Sequence, residues 1–390
     1  MKRVLIFSLA YYPHVGGAEI AIKEITDRIQ NIEFHMITMR FSQEELRDEK
    51  FRNVIIHRIG RSGSRLDKFF FQCNAFLKAY FLHRKYHFDG IWAMMAHSAG
   101  VPAALFKIFH PKVPYLLVLQ EGDPPEYIER LAWPVWPIFS RAFTTADVVV
   151  AESNFLGRWA RRRGFTGPME IVPNGMNTIR FTRVPSEEEI KMIRAKIGKK
   201  EGENWLIHTG RLVHKNALDM VIHALAFLPE SIHLFMIGDG PDKSALAKLA
   251  NELGVSARVH FHSYMPLEDI PNYLKACDIF IRPSRSEGMG NSFIEAMAAE
   301  LPVVATQEGG IADFLFDAKR NPNKETTGWA VDKNSPEQIA EAVKDILANP
   351  EQVARVRETA KKMALEKYDW NLITNDMKEK VFERVLHKLT

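Results

Sequence analysis

The chain of 390 residues is 46% hydrophobic and 26% charged, with two cysteines and a formal net charge of +4. That length buries a large core and favours two domains over one. Cys73 and Cys277 stand far apart and outside any metal-ligand spacing, and no repeat or low-complexity tract occurs, which argues against a disulfide framework or a zinc site and for a reducing compartment.

In chain order, the start carries a basic tip and an apolar run, but Tyr11-Tyr12-Pro13-His14 follows without a cleavage site. Residues 4–10 therefore read as a first strand rather than a signal peptide. Apolar runs of strand length recur at 34–39, 54–59, 90–94, 115–119, 148–152 and 170–172, with helical patterns at 19–29 and 101–109. Residues 69–85 form a helical stretch rich in aromatic residues, led in by Arg58, Arg61, Arg65 and Lys68 and closed by Arg84 and Lys85. Interfacial membrane helices look like this, and so do ordinary helices covering a sheet. Trp133-Pro134-Val135-Trp136-Pro137-Ile138-Phe139 is a further exposed-aromatic candidate, an acceptor-side loop. The charged segment 186–201 reads as a helix plus linker. Beyond it, strands are expected at 205–209, 233–237, 259–262, 279–282 and 303–306, helices at 217–228, 243–253 and 268–276, and a last helix at 370–389.

Strands alternating with helices through both series are the signature of stacked βα units in parallel sheets. The expected fold class is α/β: two facing Rossmann-like, doubly wound parallel-sheet domains, 1–182 and 183–369. An interdomain cleft is expected along the C-terminal strand edges, where such sheets bind ligands. No apolar stretch approaches the roughly 18–20 residues of a spanning helix, so the protein is expected to be cytoplasmic, either soluble or peripheral on the inner face of the membrane. Residues 1–180 hold 24 Lys and Arg against 17 Asp and Glu, a net of +7, and the remainder nets −3. Positive charge in one half suits an anionic lipid surface, a phosphorylated acceptor or nucleic acid; uneven scatter over a mixed surface explains it equally well.

Chemistry concentrates in residues 282–297, Arg282-Pro283-Ser284-Arg285-Ser286-Glu287-Gly288-Met289-Gly290-Asn291-Ser292-Phe293-Ile294-Glu295-Ala296-Met297. An apolar run ending in Pro283 reads as a buried strand stopping at its C-terminal edge. Gly288 and Gly290 permit backbone conformations closed to other residues, and Asn291 and Ser292 suit the cap of a helix running to Glu300. Orphan N–H groups and the dipole at that helix start favour phosphate. Glu287 and Glu295 beside it call for hydroxyl donors, and a sugar diol offers them in pairs.

These residues resemble the family 4 retaining glycosyltransferases of the GT-B fold. The spacing Glu287-x7-Glu295, followed by Ala296-Met297-Ala298-Ala299 and Leu301-Pro302-Val303-Val304-Ala305, carries the likeness. Thr209-Gly210-Arg211-Leu212-Val213-His214-Lys215-Asn216 looks like the family's Gly-Arg-Leu...Lys phosphate-binding element, and Tyr11-Tyr12-Pro13-His14-Val15-Gly16-Gly17-Ala18-Glu19 like its glycine-rich first loop. The likeness runs nearly end to end, and it implies that the last helix, 370–390, packs back on the first domain.

The resemblance implies a retaining hexosyltransferase that moves a hexose from a UDP- or GDP-sugar to a hydroxyl of a glycan or lipid-linked acceptor. It implies no cofactor, no nucleic-acid partner and no metal, because nothing resembles the Asp-x-Asp metal motif of the other large glycosyltransferase fold. Arg211 and Lys215 would stabilise the departing diphosphate. Glu287 would face the donor sugar near the reacting centre and Glu295 the ribose hydroxyls. Gly16, Gly17, Gly210 and the turn Gly288-Met289-Gly290-Asn291-Ser292 would bring backbone donors to the donor, and residues 261–265, Met265 among them, would pass the base. On the acceptor side, Gln120 stands where many relatives have histidine, and glutamine cannot carry a proton, which speaks against a general base there. Gln120, Asp123 and His97 are the candidates for contacting acceptor or sugar, with a simple capping role the alternative for His97. A nucleotide-sugar epimerase of related fold and a non-catalytic carbohydrate-binding relative are the competing readings; the set Arg211, Lys215, Glu287 and Glu295 favours transfer. A dinucleotide oxidoreductase would want Gly-x-Gly-x-x-Gly where the first loop reads Pro13-His14-Val15-Gly16-Gly17.

Overall fold

A computed structural model describes residues 1–263 and 265–387; Tyr264, the last residues expected in the final helix and the Arg65 side chain lie outside this description. The chain forms two units, residues 1–175 with the segment from Trp370 onward, and Met176–Asp369.

The first unit is built on an eight-stranded sheet: β1 (Lys2–Phe7), β2 (Ile32–Met39), β3 (Asp48–Phe51), β4 (Val54–Ile59), β5 (Gly90–Met94), β6 (Tyr115–Leu119), β7 (Val148–Ala151) and β8 (Met169–Ile171). Its order is β3-β4-β2-β1-β5-β6-β7-β8, so the first strand lies inside the sheet with crossovers on both sides. All neighbours pair in parallel except β3, which runs antiparallel to β4. β3 has the sequence Asp-Glu-Lys-Phe and no apolar run announces it; it is half exposed, as befits a charged edge that resists further pairing.

Alternation along β1 shows why the sheet needs cover on both faces. Leu5 and Phe7 enter one core with α2 (Arg65–Tyr86) and α3 (Val101–Phe109), while Val4 and Ile6 enter another with α1 (Gly17–Arg28). The C-terminal segment completes that second face. Trp370, Ile373, Met377, Val381, Phe382 and Val385 recur at helical spacing and are all buried there. The Phe382 ring lies 6.0 Å from Phe34 and 5.7 Å from Trp92, both on the sheet.

The second unit has six parallel strands: β9 (Asn204–Thr209), β10 (Ile232–Ile237), β11 (Val259–His262), β12 (Ile279–Arg282), β13 (Val303–Ala305) and β14 (Trp329–Ala330), ordered β11-β10-β9-β12-β13-β14. It repeats the two-faced pattern: Trp205, Ile207 and Phe280 serve one core, Leu206, Ile279 and Ile281 the other. The chain enters this unit at Met176, ahead of the charged segment 186–201. That segment is the helix Glu187–Ile197, started by a capping box between Ser186 and Glu189, and its Ile193 and Ile197 pack on the unit's own core.

Truncating Phe382 removes a fully packed ring from between two sheet aromatics. Phe382→Ala is expected to destabilise by about 3–5 kcal/mol, seen as a lower urea midpoint, whereas Ala at the exposed Leu372 should change it little.

Candidate active site

In the second unit the recognised residues gather where β9 and β12 end. β9 stops at Thr209, and the loop continues through Gly210 and Arg211 to a single tight turn, His214–Asn216, before the helix Leu218–Leu225. The neighbouring loop presses against it: the Gly210 N–H donates to Ile237 O and the Leu212 N–H to Asp239 O, each at 2.9 Å. Gly238, at φ 143°, lies so close that a Cβ there would sit 2.0 Å from Gly210 O. Only glycine allows this peptide-on-peptide contact.

β12 ends at Arg282, whose buried guanidinium ties the two motifs together. Its Nη2 and Nε donate to Asn216 Oδ1 at 2.9 and 3.2 Å, its Nη1 to Ser292 Oγ at 2.9 Å, and Nη2 also pairs with the Glu287 carboxylate. The same group lies over the Phe293 ring at 5.1 Å. Asn216 passes the link on, donating from Nδ2 to Arg211 O at 2.6 Å. A second strap runs parallel: the Arg285 N–H donates to Lys215 O at 2.7 Å and its guanidinium grips both Asp219 oxygens at 2.9 and 2.6 Å. Arg282, Asn216 and Arg285 were not singled out in the sequence; an arginine closing an apolar strand run was the signal for the first.

Glu287 is therefore buried and ion-paired beneath the loop rather than simply turned outward. Its carbonyl accepts from the Gly310 N–H at 3.0 Å, and a Cβ on Gly309, at φ 62°, would meet that carbonyl oxygen at 1.9 Å. The helix Asn291–Ala298 starts with Gly290 as its cap, and no side chain closes it. The expected caps Asn291 and Ser292 are its first two helical residues, and the Ser292 hydroxyl is taken by Arg282. Of its first-turn N–H groups, that of Phe293 donates to Gly290 O at 3.3 Å. Met265 and Met289 are buried in the core of the unit, with Gly288 buried beside the latter.

Two groups on this edge stand out. Arg211 is exposed, and among the described residues its guanidinium has no partner. Glu295 is half-buried and accepts no hydrogen bond among the described residues. Burial pushes its carboxyl up to about 7, against the pull of the Arg180 and Arg282 charges. Lys215 is half-exposed on the same loop as Arg211. Below Gly210, burial and then the Arg282 charge push the His208 imidazole down to about 3, so it stays neutral.

In the first unit the candidates follow β1, β5 and β6. The Gly16 N–H is not presented outward: it donates to Glu19 Oε2 at 2.7 Å, closing the start of α1. At Gly17 a side chain would meet no protein atom within 4 Å, so packing does not require glycine there. Gln120 is buried in a reciprocal amide pair, its Nε2 donating to Asn174 Oδ1 at 2.7 Å and its Oε1 accepting from Asn174 Nδ2 at 3.2 Å, while Asn174 also reaches Glu152 Oε2 at 3.0 Å. Gln120 thus spends one donor and one acceptor position of its amide on Asn174. His97 is partly exposed, its Nδ1 3.7 Å from the buried Glu121 Oε1, which accepts the Ala96 N–H at 2.5 Å. Asp123 is exposed on the loop after β6. Among the described residues no group of three or more His, Cys, Asp or Glu side chains is placed to hold a metal ion.

The sequence profile described as "Glycosyltransferase Family 4" matches residues 15–180, and that described as "Glycosyl transferases group 1" matches residues 189–363. The chain belongs to the family 4 glycosyltransferases. Among curated relatives, it is 30% identical over 256 residues to a GDP-mannose-dependent alpha-(1-6)-phosphatidylinositol monomannoside mannosyltransferase of Mycolicibacterium smegmatis. That match spans 62% of this chain and 64% of the relative, just under two thirds of its length. Among solved structures, sucrose-phosphate synthase from Thermosynechococcus elongatus superposes with a TM-score of 0.83 at 18% identity, covering 100% of both chains. Anabaena HepE, in complex with UDP and glucose, gives 0.78 at 20% identity, covering 98% of this chain and 99% of its own. These two likenesses establish the GT-B fold of this family 4 member.

A carboxyl held near 7 when its ordinary value is 4.5 binds its proton more tightly in the folded state than in the unfolded one, so its stability penalty at higher pH is absent below pH 4.5, grows between about 4.5 and 7 and is fully present above 7. Glu295→Gln removes it. The variant is expected to be more stable than wild type at pH 8 by about 1–3 kcal/mol and equal to it near pH 4.5; equal melting temperatures at pH 8 would contradict the burial argument.

Proposed function

We propose that this glycosyltransferase is a retaining, metal-independent hexosyltransferase, without a cofactor, that takes its sugar from a nucleotide diphosphate donor and passes it to a hydroxyl of a glycan or lipid-linked acceptor. The observation that carries this reading is the combination, on one sheet edge, of a cation, Arg211, and a carboxylate, Glu295, whose side chains have no hydrogen-bond or ion-pair partner among the described residues. A diphosphate satisfies the first and a ribose diol the second.

As the anomeric C–O bond breaks, its electron pair moves onto the diphosphate oxygen. Arg211, Lys215 and the uncapped first turn of Asn291–Ala298 are the groups that balance this growing charge. Preorganised donors of this kind are each worth about 10²–10³ in rate. Glu287, held by Arg282, accepts hydroxyl hydrogen bonds from the sugar. The acceptor hydroxyl attacks on the face the diphosphate leaves, and a phosphate oxygen of the leaving group takes its proton, so no protein base is needed. This agrees with Gln120 being committed to Asn174. The first unit's edge, with His97 and Asp123, is assigned to the acceptor.

The mannosyltransferase relative is named for GDP-mannose and the HepE structure holds UDP, so both bases are to be screened. A thermal-shift series of UDP, GDP and ADP sugars identifies the donor, since a ligand at 100 times its Kd stabilises by about 2.7 kcal/mol. Diol hydrogen bonds favour the ionised form of Glu295, so donor affinity is expected to rise with pH through about 7. Glu295→Gln should flatten that dependence.

Arg211→Gln is expected to lower kcat by about 10²–10³ with a smaller change in KM, and EDTA to leave the rate unchanged. The product should keep the donor's anomeric configuration by NMR; inversion, or a large loss of rate on EDTA, would overturn the retaining or the metal-independent part of the reading.

A further inference from the structure

Helix α2 is apolar on two opposite faces, and its own unit covers one of them. Phe71, Ala75, Ala79 and Leu82 turn into the core. Leu66, Phe69, Phe70, Leu77 and Phe81 turn away from it and are 51–75% exposed, with the exposed Cys73 among them. Positions 66, 70, 73, 77 and 81 repeat at intervals of three and four, so they form one stripe down the helix. The end of α3 adds a further exposed ring beside α2: Phe109 is 60% exposed, and its ring lies 5.2 Å from that of the partly buried Phe76. Contiguous apolar surface of this kind on a folded domain marks an interaction site.

Charge identifies the occupant. Residues 61–88 contain six Lys and Arg against one acid, Asp67. Asp67 is used internally, accepting the Ser62 and Ser64 N–H groups at 3.0 and 3.3 Å to start the helix. Arg61, Lys68, Arg84 and Lys85 are exposed around the stripe. A second copy of the chain packed on this face by two-fold symmetry would bring the same cations together. An anionic lipid surface meets both the cations and the aromatic rings.

We propose that the outward face of α2 docks the protein on anionic membranes, with the helix lying in the plane of the headgroups, its aromatic side chains at the acyl boundary and its basic side chains on lipid phosphate. Among the described residues no helix is long and apolar enough to cross a membrane, so the contact is one-sided. α2 starts at the C-terminal edge of the sheet, where β4 ends, and its Gln72 Nε2 donates to His97 O at 3.3 Å. Docking therefore brings lipid to the edge assigned above to the acceptor, which makes a lipid-borne hydroxyl the favoured acceptor class; that last step rests on the proposed function, and the docking does not.

The test uses the full chain with vesicles of phosphatidylcholine, with or without about one third phosphatidylglycerol, in low salt. Cosedimentation with the anionic vesicles alone is expected, together with a blue shift of a solvatochromic dye on Cys73, Cys277 being buried. The triple variants Phe69→Ser/Phe70→Ser/Phe81→Ser and Lys68→Glu/Arg84→Glu/Lys85→Glu should each weaken binding by at least about tenfold. All six positions are exposed, and an unchanged melting temperature checks that the variants fold. No binding to anionic vesicles, or binding that survives both triple variants, overturns the proposal. A dimer in sedimentation velocity that the Phe variant dissociates, without vesicle binding, assigns the face to a second copy instead. Loss of nucleotide-induced stabilisation in the wild type would overturn the proposed function and leave the docking result standing.

Discussion

A guanidinium placed at the inner end of a parallel strand has several N–H donors to satisfy and almost no water to satisfy them with, and an unmet donor there costs about 1–3 kcal/mol or more. Arg282 meets this demand with Asn216, Ser292 and Glu287, one partner each from the loop after β9, the first turn of the helix Asn291–Ala298, and the turn between them. Each bond satisfies the arginine and at the same time fixes a piece of the site. Breaking such a pair by removing one partner leaves the other charge buried and typically costs about 3–5 kcal/mol. The placement of Glu287 and of the Arg211 loop is therefore a consequence of folding the second unit and does not wait for a ligand.

The two ionised partners of this arrangement contrast with the two groups that stay unsatisfied. Glu287 has its counter-charge in place, whereas Glu295, a few residues on, is desolvated without a bonded donor and sits with its carboxyl pushed up to about 7. Environments that separate neighbouring carboxylates in this way also separate their roles. One is bound into the framework; the other is left without a hydrogen-bond donor among the described residues. In the first unit the balance is different: the buried Gln120, Asn174 and Glu152 are joined to one another by hydrogen bonds.

Much of this was legible in the chain, for identifiable reasons. Strands buried on both faces leave near-continuous apolar runs, and those at 34–39, 115–119 and 279–282 all lie within the observed β2, β6 and β12. β3 escaped because a charged edge strand has no such run, and the start of the helix Asn291–Ala298 was misplaced because Ser292 gives its hydroxyl to an arginine ten residues earlier in the chain. The Gln120 pairing could not be read at all, since its partner lies 54 residues away. Local pattern carries backbone and motif; satisfaction of a buried polar group is decided by whatever the fold brings beside it. The aromatic stretch at 69–85 stood between two meanings in the sequence, and the structure shows that both faces exist, one covered and one bare.

The contact of Gly238 with Gly210 O separates two properties that most binding loops mix. Because peptide groups alone set the spacing between the loops after β9 and β10, side chains projecting from those loops can change without moving the backbone donors between them. On the proposed reading, side chains that select a donor can thus diverge by substitution while the backbone beneath them stays constant, a division of labour that lets one scaffold exchange one donor for another in few steps.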